Sequence, residues 1–108
     1  MPTATDVIAS LSNAADAADA AFDAAVAANP ASDFRELHHA KMKTADAAAA
    51  AIGKALSNDA SVATAQQELD AVIREINGKL ATLKDLAAWL ALLNELSSLA
   101  LQVGRCLA

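Results

Sequence analysis

Four residues near the middle of the chain have side chains that bind metals or move protons: His38, His39, Lys41 and Met42. Neighbouring residues on a helix point about 100° apart, so His38 and His39 cannot hold one ion together. His38 and Met42, four apart, share a face, but a zinc or copper site needs three or four ligands, and that face offers no complete set. No metal site and no cofactor is therefore expected. Lys41 falls on the apolar stripe of its helix. A catalytic lysine needs a pocket and a depressed pKa, and alanine-rich packing leaves little room for one. The hairpin register instead sets Lys41 near Asp19, predicting a buried polar pair in which the lysine stem runs along apolar neighbours. The chain has no nucleophile elbow, Gly-rich phosphate loop, Cys–His pair or carboxylates clustered around a histidine. It reads as not an enzyme.

The elements that carry these residues are helices. Of 108 residues, 56% are hydrophobic, 3% are aromatic and 31 are alanine. Alanine is the best helix former and a poor core filler, so its helices form easily but must approach closely to gain packing energy. Three glycines, two prolines and the lack of β-branched runs leave little to start a strand. The class is all-α, in one domain spanning 1–108.

Net charge is −5, which argues against nucleic acid as a partner and against steering to anionic lipid. Asp6, Asp16, Asp19 and Asp23 precede any Lys or Arg. They read as a solvated acidic helix face. Cys106 is the single cysteine, so no disulfide forms within the chain and no oxidising compartment is implied. The N-terminus lacks a basic and an apolar region of signal-peptide type. The expected location is the cytoplasm, or outside the cell by a route that cleaves no signal peptide.

A first helix is expected from Thr3 or Thr5 as N-cap, with Ile8, Leu11, Ala15, Ala18, Phe22 and Ala25 as its seam. Asn29-Pro30 stops it. Ser32 then caps a second helix whose stripe holds Phe34, Leu37, Ala45, Ala48, Ile52, Ala55 and Leu56. Residues 1–58 thus form an antiparallel Ala-rich hairpin, with Phe34 near Val26, Ala45 near Ala15 and Ile52 near Ile8. The helix–ANPAS–helix of residues 20–56 resembles the hairpins of small secretion-needle subunits, which also turn at a proline-containing loop. That resemblance covers a third of the chain and assigns no family.

Ser57-Asn58-Asp59 gives a turn and an N-cap for a third helix through Val62, Ala65, Leu69, Val72, Ile76, Leu80, Leu83 and Leu90. Asn77-Gly78 is a turn signal inside it, yet the apolar stripe keeps its phase across the pair. The expected fold is therefore the hairpin packed on one long third helix, a three-helix bundle with an extended C-terminal helix. The alternative is a four-helix bundle, with the chain turning at Asn77-Gly78. Residues 59–85 are the packing half of the long helix, and 86–108 its apolar end.

That end carries two faces. Leu83, Ala87, Leu90 and Leu101 continue the packing stripe. Trp89, Leu92, Leu93, Leu96, Leu99 and Val103 are expected to face away from the hairpin and await a partner. Large apolar patches on soluble proteins mark interaction sites. Asn94 and Ser97 are the candidates for setting register or specificity, as one polar seam residue can. A transmembrane span is disfavoured because Asn94 and Glu95 fall at its centre. The expected function is a non-enzymatic structural or interaction protein that self-assembles, or docks another helical protein, through this helix. The alternatives are a membrane-active protein inserting the same helix and a small adaptor, chaperone or immunity-type protein holding one partner.

Overall fold

The computed structural model describes residues 3–54 and 62–107. They form four helices and no strand: α1 (Ala4–Ala28), α2 (Arg35–Ile52), α3 (Val62–Lys79) and α4 (Leu86–Cys106).

Local chemistry sets most ends. Thr3 caps α1 in a reciprocal box: its side chain accepts from the Asp6 amide at 3.1 Å, and its own amide donates to Asp6 at 3.0 Å. The Thr3 amide bond to its carboxylate, with the Thr3 hydroxyl beside it, holds the Asp6 carboxyl below its usual pKa. Asn29 ends α1 as expected. The α2 start departs from expectation. Phe34, not Ser32, is the N-cap residue and makes no side-chain cap bond. Asp33 substitutes, accepting from the Arg35 amide at 3.0 Å and from its guanidinium at 2.8 Å. Paired with Arg35, Asp33 is pushed down in pKa and Arg35 up. The turn and cap expected at Ser57-Asn58-Asp59 lie outside the described residues.

The long third helix does not form. The chain turns over residues 80–85, and Asn77 and Gly78 stay inside the last turn of α3. A backbone bond from Leu83 N to Lys79 O at 2.9 Å closes the turn. Asp85 then starts α4 by accepting from the Ala87 amide at 3.1 Å. The stripe keeps its phase across Asn77-Gly78 without a continuous helix because a short, tight turn returns the apolar face to the same core. Folding back lets α4 bury the largest side chain in the protein, Trp89, which an extended helix would leave in water.

The two hairpins, α1–α2 and α3–α4, lie side by side. Each of α1 and α4 touches both α2 and α3, and α1 also meets α4 across the middle; α2 and α3 stand at the far corners. Gln66 on α3 donates to Ser10 Oγ (3.0 Å) and to the Asp6 carbonyl (3.3 Å), so α1 and α3 run in the same direction. Gly104 on α4 lies against Ala51 on α2, so these two are parallel as well. The result is a slab of 44 × 23 × 17 Å. One broad face is centred on α1 and the other on α4.

This arrangement rotates the expected stripes. On α2 the buried residues are Leu37, Ala40, Thr44, Ala48 and Ala51, while Phe34, Ala45 and Ile52 are half-buried. The helix points its core face between α1 and α4 rather than at α1 alone. α1, with three neighbours, buries Val7, Leu11, Ala14, Ala17, Ala18, Ala21 and Ala25. On α3 the expected Val62, Ala65, Leu69, Val72 and Ile76 are all buried. Buried Thr44 donates its hydroxyl to the Ala40 carbonyl at 2.9 Å and so costs the core no unpaired group.

Candidate interaction face on the fourth helix

The six residues expected to await a partner instead face the chain's own core. Trp89, Leu92, Leu93, Leu96 and Val103 are buried, and Leu99 is half-buried against the same cluster. The premise that this face has no cover in the chain is corrected: α1, α2 and α3 cover it. Trp89 also donates its indole N–H to the Leu83 carbonyl at 3.0 Å, which ties the α3–α4 turn to the core. The two candidate register residues separate. Ser97 is buried and Asn94 is exposed.

The face left outside is the other one. Ala87, Ala91, Asn94, Ser98 and Leu101 are exposed, with Leu86 and Leu90 half-buried along the α2 side. Leu101, 47% exposed, is one of two large hydrophobic residues among those described that stand in solvent; the other is Met42 at 43%. A groove between α4 and α2 is lined by Leu86, Leu90 and Asn94 on one wall and by Leu37, Glu36 and His39 on the other. The groove between α1 and α3 is more polar, with Asn13 and Asp16 facing Asp70, Arg74 and Asn77. The signal in the sequence that could have ordered the two α4 faces is bulk. The face with tryptophan and four leucines goes inside, and the one with alanines, Asn94 and Ser98 stays out.

Lys41 and Asp19 meet, at 2.9 Å between Nζ and Oδ1. The pair is not buried: the side chains are 25% and 63% exposed. With α2 rotated towards α4, Lys41 moves from the stripe to the α1 edge. There its ammonium also sits 4.8 Å from the centre of the Phe22 ring. Phe22 contacts Phe34 and His38 edge-on, at 6.3 and 5.7 Å between ring centroids. Partly solvated pairs contribute about 0–1 kcal/mol, and the Lys41 stem is already packed. Lys41→Met should therefore change stability by less than about 1 kcal/mol in urea unfolding. A loss beyond about 2 kcal/mol would show a desolvated pair instead.

His38 and His39 are both exposed, and no group of three or more His, Cys, Asp or Glu stands together among the described residues. Cys106 is a free, half-buried thiol. Two polar contacts that sequence reading did not anticipate are structural: the Gln66–Ser10 bond, and Asn29 Nδ2, which donates to Ala25 O (3.0 Å) and to Lys84 O (2.7 Å). Comparison with protein-family models, with curated proteins and with solved structures finds no match to this chain.

Proposed function

We propose that this chain is a non-enzymatic helical interaction protein that docks a protein partner, itself or another helical chain, through the outer face of α4. The supporting observation is a run of 14 helical residues, Ala87 to Asn94 and Leu96 to Leu101, broken by one charge, Glu95. The exposed side chains over this stretch are Ala87, Ala91, Asn94, Glu95, Ser98 and Leu101. A centre poor in charge between charged flanks has the anatomy of a protein interface. The pKa shifts of Asp6, Asp33 and Arg35 come from exposed local contacts: the Thr3 cap beside Asp6, and the ion pair of Asp33 with Arg35.

The double variant Ala91→Glu, Leu101→Glu tests this. Both sites are exposed, so helicity and melting temperature should stay close to wild type. Native mass spectrometry should find the oligomer, or the complex with a co-purified partner, in the wild type and not in the variant. Assembly unchanged by two buried glutamates would exclude this face.

Membrane insertion is the second reading, supported by α4 being long and apolar enough to cross a bilayer by length and composition. It requires Trp89, Leu93 and Leu96 to leave the core first. Docking needs no such opening and is preferred.

A further inference from the structure

We infer that the occupant of the α4 outer face is a second copy of this chain, joined in a two-fold dimer whose α4 helices run parallel. The inference rests on the reading of α4 as the interaction face and deepens it. Ala87, Ala91, Asn94, Ser98 and Leu101 are spaced four, three, four and three residues apart, the repeat by which two helices keep one seam in register, and exposed Arg105 ends the line four residues further on, in the last turn of α4. Small side chains at Ala87, Ala91 and Ser98 permit close approach, and Leu101 supplies an apolar anchor.

The flanks select the partner and its direction. On the α2 side of α4 stand Glu36, His39 and Lys43; the first two line the groove with Leu90 and Asn94, and Lys43 follows one turn later. On α3, Asp70, Arg74 and Asn77 face α1. Glu68, Glu75 and Lys79, on the other side of its buried stripe, therefore flank α4, with Lys79 Nζ bonded to Glu75 Oε2 at 3.2 Å within the chain. Ala51 is level with Gly104. At 1.5 Å per residue, Glu36, His39 and Lys43 lie about 5, 9 and 15 Å below the start of α4. Lys79 adjoins the turn, so Lys79, Glu75 and Glu68 lie about 0, 6 and 16 Å below that level.

Rotating one copy by half a turn about an axis parallel to the helices lays α4 on α4 in parallel and sets each α2 flank over the α3 flank of the other copy. Glu36 then faces Lys79 of the second copy, His39 faces its Glu75, and Lys43 faces its Glu68, each within about one helical turn in height. The ladder reads acid–base, imidazole–acid, base–acid. Rotation about an axis perpendicular to the helices makes the α4 pair antiparallel and lays α2 over α2. Centred on the Asn94–Ser98 stretch, that pairing sets Lys43 over Lys43 and Glu68 over Glu68. Charge complementarity fixes register and rejects wrong pairings more than it adds affinity. Asn94 meets its own copy on the two-fold axis, where two amides can bond to each other across the seam.

Sedimentation equilibrium of the full chain should show a concentration-dependent dimer that weakens as salt is raised. Leu101→Lys should weaken it about tenfold or more, a change of about 1.4 kcal/mol. Lys43→Glu should weaken it, and adding Glu68→Lys to that chain should restore it; in the antiparallel pairing Lys43→Glu changes nothing. Ala87→Cys in a Cys106→Ser background should oxidise to a linked dimer. Antiparallel helices would hold those two thiols about 27 Å apart, beyond disulfide reach. A dimer that ignores Leu101→Lys or fails to link at position 87 overturns the parallel α4 pairing and leaves the interaction-protein reading standing. A chain that stays monomeric overturns the dimer. The broader reading then falls only if the double-glutamate variant also leaves every complex of the chain intact.

Discussion

Trp89→Ala should destabilise the protein by about 3–5 kcal/mol, a large share of the about 5–15 kcal/mol that holds a domain folded. Trp89 is fully buried and belongs to the one core cluster that draws residues from all four helices. Truncation removes apolar burial, leaves a cavity, and strips the Leu83 carbonyl of its donor in the turn that starts α4. Urea unfolding monitored by far-UV circular dichroism should show a much earlier midpoint or no cooperative transition. Trp89→Phe separates the contributions, keeping most of the burial and losing the hydrogen bond, for a smaller cost of about 1–3 kcal/mol. The alternative expectation, in which Trp89 faces a partner, makes an opposite forecast. The alanine variant would then lose assembly while its monomer stayed as stable as the wild type.

Gly104→Leu should be the second most damaging change among those considered. A Cβ at Gly104 would lie 3.3 Å from the Ala51 Cβ and 3.8 Å from its Cα, so α2 and α4 touch there almost backbone to backbone. Leucine adds three further carbons where one is already tight, and overpacking of this kind costs about 1–3 kcal/mol or more. Gly104→Ala is a different case. The neighbour must yield by a few tenths of an ångström, but glycine within a helix gives up about 1 kcal/mol relative to alanine, so the net change should be close to zero. Combining Gly104→Leu with Ala51→Gly should recover part of the loss. A thermal melt of the two single variants and the double measures that coupling.

The helices themselves were legible in the sequence. Thr3 with Asp6, the stop at Asn29-Pro30 and the α3 stripe from Val62 to Ile76 follow from short-range rules, and the structure follows them. So does the height at which α1 and α2 meet, since Asp19 reaches Lys41. What could not be read was how many helices each one touches. A stripe drawn for one neighbour puts Lys41 on the apolar side of α2 and leaves Thr44 unnamed, whereas with two neighbours Thr44 is buried and Lys41 lies at an edge. Alanine is the physical reason. A helix with leucine on one side declares its core face, whereas α1 offers Ala14, Ala15, Ala17, Ala18, Ala20 and Ala21, small apolar surface on every side but the one that carries Asp16 and Asp19. The turn before α4 was hidden for a related reason. Its stop signals, Asn77-Gly78, lie a few residues ahead of the actual reversal, and Leu80 and Leu83 keep the turn itself apolar. Misplacing that turn reversed the two faces of α4, and with them the surface offered to a partner.

The Asn29 side chain, bonded to Lys84 O across 55 residues of sequence, bears on the order in which the protein assembles. Within each hairpin the contacts are local, and local helical pairs form fast. The bond from Asn29 joins the turn of one hairpin to the turn of the other, and it can exist only once both have formed and met. The late, slow event is therefore the mating of two prefabricated halves, in which Trp89 is the largest side chain buried and Asn29 the latch at one end.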